Sequence, residues 1–167
     1  MHADVSAVMA KKVSPIPKGY HALTPTLTVR DVAQAIDFYK KAFGVKEIMR
    51  MPGPDGKTIM HAELKIGDSH FMLGQEMPEM NHKSPESLNG TPVGLYLYVK
   101  DVDKVFDQAV KAGAKIVNPV ADAFWGDRNG QIKDPFGHDW GIATRKRNLS
   151  QKEIRKAAEG WFASQKR

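Results

Sequence analysis

The chain repeats one short phrase. Leu27-Thr28-Val29-Arg30-Asp31-Val32 returns as Leu97-Tyr98-Val99-Lys100-Asp101-Val102, seventy residues later, with Leu, Val, Asp and Val identical and a basic residue kept between Val and Asp. Self-similarity at a fixed offset marks duplication of a supersecondary unit, and a period of this length is too long for a solenoid. Each copy reads as a strand running into a helix capped by Asp31 or Asp101. The constraint on folding is strong: two half-domains of one design must share a core.

Hydrophobic periodicity extends both copies. Leu27 and Val29 take one face of the first strand, with Thr24, Thr26 and Thr28 on the other. Val32, Ala35, Ile36, Tyr39, Ala42 and Phe43 recur at helical spacing until Gly44. Strands follow near 45–51, 58–66 and 70–75, the first two separated by Pro52-Gly53-Pro54-Asp55-Gly56. The second copy has a strand over 93–99 and a helix with Val102, Val105, Phe106 and Ala109 inward, ending at Gly113. Strands over 115–120, 125–133 and 138–144 complete it, the last pair joined by Asp134-Pro135-Phe136-Gly137. The expected fold is α+β, two β-α-β-β-β modules followed by a C-terminal helix.

The expected organisation is an N-terminal arm over 1–19, one domain over 20–144 (module one 20–76, a Pro- and Gly-punctuated linker 77–92, module two 93–144) and a basic helix over 145–167. That last helix opens on a capping box, Ser150-Gln151-Lys152-Glu153, and carries the stripe Ile154, Ala157, Ala158, Trp161 and Phe162. Net charge is confined to the same segment. Residues 1–144 hold 17 basic and 17 acidic side chains, and residues 145–167 hold 8 and 2, which accounts for the whole net charge of +6. The high pI is therefore no evidence that the folded body binds polyanions, and the tail is read as a packing helix on its own domain or on a sister subunit. A homodimer is expected, with neither nucleic acid nor membrane as partner.

With no cysteine, the chain has no disulfide framework, thiol nucleophile or thiolate metal site. The first ten residues lack the basic-then-apolar order of a secretory signal, so a cytoplasmic protein is expected.

Two modules of this order with Val-x-Asp-Val at each strand-to-helix junction resemble the vicinal oxygen chelate superfamily of glyoxalase I, extradiol dioxygenases, fosfomycin resistance enzymes and bleomycin-binding proteins. The PhnB-like branch is closer still, through Ile16-Pro17-Lys18-Gly19-Tyr20, Phe38-Tyr39-Lys40-Lys41-Ala42-Phe43-Gly44, His61-Ala62-Glu63, Phe124-Trp125-Gly126-Asp127-Arg128 and Asp134-Pro135-Phe136-Gly137-His138-Asp139-Trp140. The methyltransferase label sometimes attached to that branch has no support here, for the chain lacks a Gly-rich strand-to-helix turn suited to a nucleotide-like cofactor. The resemblance implies a concave face on each sheet and, in the metal enzymes, one ligand from each of four strands. Those positions fall on Thr24, Gly74, Gly94 and Gly141, which supply at best one hydroxyl. No cofactor is expected at these standard positions.

Strand alternation independently points His61 and Glu63 away from the helix, onto the concave face. They form a catalytic candidate, His61 as base oriented by Glu63, or the seed of an alternative divalent metal site with Glu76; a plain structural pair is the third reading. Thr26, Thr28, Tyr96 and Tyr98 are expected to line the concavity, with Trp125, Arg128 and Asp139 as further substrate-binding candidates. Arg128 is read either as an anion clamp or as a structural partner of Asp127 or Asp134, Trp140 as core, and His138 as a local hydrogen-bonding residue. Two main functions remain open, beside a third reading of a metal-free enzyme using His61 and Arg128. One is a bleomycin-resistance-type protein holding a small planar or aromatic molecule without a standard metal site. The other is a metal-dependent glyoxalase-like lyase, isomerase or dioxygenase using His61 and Glu63. Bleomycin itself fits poorly, because a cationic ligand favours an acidic body.

Overall fold

The computed structural model describes residues 13–165; most of the N-terminal arm expected over 1–19 lies outside them. Two four-stranded mixed sheets carry the chain. In module one, β1 (Thr26–Val29), α1 (Val32–Phe43), β2 (Lys46–Pro52), β3 (Ile59–Ile66) and β4 (Ser69–Gln75) form a sheet of order β1-β4-β3-β2. In module two, β5 (Gly94–Tyr98), α3 (Val102–Ala112), β6 (Lys115–Asp122), β7 (Asp127–Lys133) and β8 (Asp139–Arg145) repeat it as β5-β8-β7-β6. β1 pairs with β4, and β5 with β8, in parallel, while all other neighbours are antiparallel. The duplication visible in sequence is thus a duplication of topology.

Local chemistry sets the element ends. Asp31 Oδ1 accepts from the Gln34 amide at 2.9 Å and Asp101 Oδ1 from that of Lys104 at 3.1 Å, satisfying first-turn donors that have no partner within the helix. Gly44 closes α1 at φ 63°, a left-handed conformation that a β-carbon disfavours. Between the modules, a 3₁₀ turn at Pro78–Met80 and a short helix α2 (Pro85–Leu88) replace the featureless linker expected from its prolines. Glu76 caps this region, accepting from the Ser84 amide at 2.8 Å and from the Ser87 hydroxyl.

α1 and α3 pack against each other, and one aromatic cluster ties the halves together. Tyr39 and Phe43 from α1 lie 5.6 and 4.9 Å, centroid to centroid, from the Trp140 ring, and Tyr39 meets Phe71 edge-on at 5.5 Å. Inside the cluster sits a buried carboxylate. Asp134 Oδ2 accepts from Tyr39 Oη (2.6 Å) and Trp140 Nε1 (3.0 Å), and its Oδ1 from the amides of Phe136 and His138 (2.9 Å each). Burial and this carboxylate together push the Tyr39 hydroxyl well above its ordinary value. Trp140 is core, as its helix-facing register demands, whereas His138 reaches further than a local contact: its Nε2 meets Thr28 O at 3.0 Å across the modules. Gln108 of α3 also donates to the carbonyls of Lys41 and Ala42 at the end of α1.

The C-terminal helix α4 (Gln151–Gln165) starts at the capping box, Glu153 accepting from the Ser150 amide at 2.7 Å. Within its apolar stripe Ile154, Ala157 and Ala158 are half-buried and Trp161 lies 5.7 Å from Phe124, while none of its described residues is fully buried. No helix among the described residues is long and apolar enough to cross a membrane.

Replacing Asp134 with Ala leaves the buried Tyr39 hydroxyl and Trp140 indole without their acceptor. At about 1–3 kcal/mol for each orphaned group, denaturant titration should show about 2–6 kcal/mol of lost stability. Gly130→Ala tests the second sheet, because a β-carbon there would stand 2.5 Å from Phe106 Cε2; about 1–3 kcal/mol of destabilisation is expected from overpacking.

Candidate functional site

Each sheet turns one face to the helices and leaves the other free of them. On β3, Ala62 and Leu64 are buried against the core, which places His61, Glu63 and Lys65 on the helix-free face, as alternation predicts. The register sets Gly74 beside His61 and Met72 beside Glu63, and Met51 and Met49 stand opposite them on β2. His61 Nε2 lies 3.7 Å from Glu63 Oε1, close enough for an ion pair when the imidazole is charged. Glu63 has a second partner that the sequence did not announce: the Tyr20 hydroxyl donates to its Oε2. Tyr20 also stacks on His70, centroids 4.2 Å apart, and burial together with the Glu63 contact pushes its hydroxyl up to about 12. Glu63 is therefore held from two sides, and Glu76 is turned away to the linker.

The second sheet carries a different chemistry. Asp127, 5 % exposed, opens β7 with Oδ2 accepting from Tyr98 Oη (2.9 Å), Trp125 Nε1 (3.2 Å) and Tyr96 Oη (3.4 Å). Asn129 Nδ2 donates to the Tyr96 hydroxyl at 3.3 Å. One carboxylate thus fixes the polar tips of three aromatic side chains whose bodies stay partly exposed. Donation to Asp127 is the main reason the Tyr98 hydroxyl rises above its ordinary value; for Tyr96, burial comes first. Beside them a cavity of about 400 Å³ is lined by Gly94, Tyr96, Val117, Gln131, Lys133, Asp139 and Gly141. Asp139 and Lys133 pair across its floor, so the two charges cancel locally.

The remaining candidates separate. Trp125 lies in the turn before β7 rather than on the strand, and points its indole nitrogen at Asp127. Arg128 is not on this face at all: alternation from Asp127 puts it on the helix side, where it binds Asp103 of α3 at 2.7 Å and Asp122 of β6 at 3.3 Å. It is a structural clamp, with neither of the partners expected from its neighbours in sequence. Thr26 and Thr28 belong to module one and line another crevice of about 270 Å³ with Val93, Leu95 and His138, apart from Tyr96 and Tyr98. The sequence reading missed Asp127 as a centre, although counting back from the buried Ile132 by alternation places it opposite the core.

The four positions implied for a metal do not suit one. Gly74 and Gly94 offer no side chain, and Thr24 Oγ1 is engaged with His21 O at 3.2 Å. At Gly141 a β-carbon would stand 2.6 Å from Tyr96 Cδ2, so the tyrosine ring occupies the space a ligand side chain would need. Among the described residues no three His, Asp or Glu side chains converge as a ligand group.

Removing the acceptor should release the tyrosines. In Asp127→Ala, spectroscopic titration should show the Tyr98 midpoint falling toward 10.0, because the neutral phenol loses the carboxylate that favoured it. Tyr20 gives the linked stability effect. Its raised value means that the Tyr20–Glu63 contact stabilises the fold fully below pH 10.0 and is lost as pH rises through about 12; Tyr20→Phe should abolish that alkaline dependence.

Comparison with known proteins agrees with this architecture. The model of the Glyoxalase/Bleomycin resistance protein/Dioxygenase superfamily matches residues 21–142. An uncharacterized protein of Mycobacterium tuberculosis, MT0910, is 45% identical over 159 residues, covering 93% of this chain and 89% of its own. The uncharacterized protein Mb0911c of Mycobacterium bovis is 48% identical over 139 residues, 81% of this chain and 91% of its own. Among solved structures, TioX from Micromonospora sp. ML1 superposes with TM-score 0.60 at 29% identity over 74% of this chain and 97% of its own. A PhnB protein from Bacillus cereus, described as a putative 3-demethylubiquinone-9 3-methyltransferase, shares the fold with TM-score 0.58 at 17% identity over 74% and 99%. By the match over residues 21–142 and the two-module topology that carries it, the chain belongs to the Glyoxalase/Bleomycin resistance protein/Dioxygenase superfamily.

Proposed function

We propose that this is a PhnB-like, bleomycin-resistance-type binding protein of the cytoplasm that holds a small planar or aromatic organic molecule on the helix-free face of the second sheet, without the superfamily's four-ligand metal site. The observation that carries this reading is the exchange at Gly141. Where the superfamily pattern puts a ligand side chain, the chain has none, and the Tyr96 ring lies in its place. Tyr96, Tyr98 and Trp125, pinned through Asp127, then offer flat apolar surface at low conformational cost on binding, since their tips are already fixed. The Lys133–Asp139 pair leaves the adjoining cavity without net charge, which suits a ligand of little charge.

A homodimer fits the apolar surface left over. Ile48, Met49 and Met51 on β2, Ile116 and Val117 on β6, and Trp161 and Phe162 on α4 are all exposed, more than scattered single residues would explain. The metal-dependent alternative retains one supporting observation, the His61–Glu63 pair, and needs a third ligand from outside that pair.

Calorimetric titration with a panel of planar aromatic compounds, alongside metal analysis of protein purified without chelator, decides between the two. The binding reading expects saturable heat without metal, about tenfold weaker in Tyr96→Ala, and abolished in Gly141→Val, whose added side chain displaces the Tyr96 ring. Stoichiometric metal lost in His61→Ala and Glu63→Gln would overturn it in favour of the enzyme. Light scattering on Trp161→Glu and Phe162→Glu variants tests the dimer: a fall to monomer mass is expected if α4 lies in the interface.

A further inference from the structure

The cavity of about 670 Å³ between the modules counts Tyr96 and Tyr98 in its lining and so belongs with the second sheet's site. The helix-free face of the first sheet carries a separate arrangement, built with the segment that precedes β1. From Val13 to Leu23 every residue is exposed except Tyr20. Pro17 O accepts from the Tyr20 amide at 3.0 Å, and Gly19, at φ 86°, takes the position of this turn that needs a left-handed backbone. The turn is therefore complete within itself. Among the described residues, the segment's first main-chain bond to the sheet comes at Pro25, whose carbonyl accepts from the Met72 amide at 2.8 Å. Before that point, its one described hydrogen bond to the rest of the protein is the Tyr20 hydroxyl on Glu63.

A single side chain thus docks the segment, and it docks as a ligand would. The Tyr20 ring lies nearly parallel to His70, 4.2 Å centroid to centroid, and its hydroxyl donates to Glu63 Oε2, whose partner oxygen stands 3.7 Å from His61 Nε2. Met72, beside Glu63 in register, adds a soft, polarisable rim. Docking also has a cost. His70 Nδ1 is buried with no hydrogen-bond partner among the described residues, and the segment lies against the same ring: a β-carbon at Gly19 would be 3.4 Å from Cε1, the carbon between the two ring nitrogens. Nearly all buried polar atoms in folded proteins are paired, so withdrawal of the segment, which opens that edge of the ring to water, relieves an uncompensated burial.

We propose that Tyr20 is a displaceable plug: the slot between His70 and Glu63 binds a neutral phenol or other hydroxyaryl compound, and Tyr20 fills it until such a ligand takes its place. The incoming phenol stacks on His70 and donates to Glu63 as Tyr20 does, and the segment swings out about residues 21–23, which are exposed and lie between the plug and the anchor at Pro25. A tethered plug competes at high effective concentration, so it lowers the apparent affinity for the ligand by the fraction of the time it is docked. The slot uses none of Tyr96, Tyr98, Trp125 and Asp127, and so stands apart from the binding face proposed on the second sheet.

The probe is p-cresol, which is the tyrosine side chain without its backbone. In the full chain carrying Tyr20→Ala, calorimetry should show saturable binding at least about tenfold tighter than in wild type. Glu63→Ala added to Tyr20→Ala should weaken that binding about tenfold, and toluene, which lacks the donor, should bind Tyr20→Ala as weakly. Tyr96→Ala added to Tyr20→Ala should change nothing. A second readout uses wild type labelled with 3-fluorotyrosine, in which the four tyrosines give separate signals and that of Tyr20 is assigned by its absence from Tyr20→Phe. Added p-cresol should carry the Tyr20 signal to the position of a solvent-exposed tyrosine. Equal affinity in wild type and Tyr20→Ala, or no binding to Tyr20→Ala, would overturn the inference. Binding lost on Tyr96→Ala would overturn it as well, because the probe would then sit on the second sheet. Should Tyr20→Ala not fold, the wild-type signal decides: a Tyr20 resonance unmoved at the solubility limit of p-cresol overturns the plug.

Discussion

A buried carboxylate stands at the centre of the contacts that hold the two halves of this protein in one arrangement. Asp134 sits in the turn between β7 and β8, and its four acceptor contacts order that turn, fix the Trp140 indole and receive the Tyr39 hydroxyl from the other module. Low dielectric strengthens each of those hydrogen bonds and penalises the loss of any of them. The orientation of α1 on module two follows from this network, and with it the aromatic cluster and the inter-module cavity that the cluster only partly fills.

Glycine decides where aromatic rings lie. The absence of a side chain at Gly130 lets Phe106 of α3 settle onto β7, and the absence of one at Gly141 lets Tyr96 lie across β8. The first builds core and the second lays an aromatic ring along the helix-free face. Both are possible because a sheet residue without a β-carbon opens a space the size of part of a ring, and strand alternation determines which side of the sheet receives it. On the second sheet, Gly141 therefore lies under an aromatic surface anchored through Asp127.

Much of the fold was legible because its signals are local. Helix starts at Asp31, Asp101 and Ser150, the stop at Gly44 and the face of each β3 side chain follow from caps and alternation, which need only neighbours in sequence. Alternation also put His61 beside Glu63 on the helix-free face. For Arg128 alternation gives the face, counted from Ile132, but not the partners, Asp103 and Asp122, which lie on other elements. Tyr20 over Glu63, and Glu76 over Ser84, were equally hidden, because each contact closes a loop whose path no local pattern specifies.

By itself the sequence determined the duplicated module, the order of its strands and helices and the faces of the sheets, since residue type and periodicity contain all of these. Tertiary structure alone decided that Tyr96, Tyr98 and Trp125 converge on Asp127, that Thr26 and Thr28 stand elsewhere, and that a cavity opens between the modules. The physical reason is range: periodicity assigns a side chain to a face, but which faces meet depends on how two rigid halves pack, and that is set by contacts such as Tyr39 to Asp134, 95 residues apart.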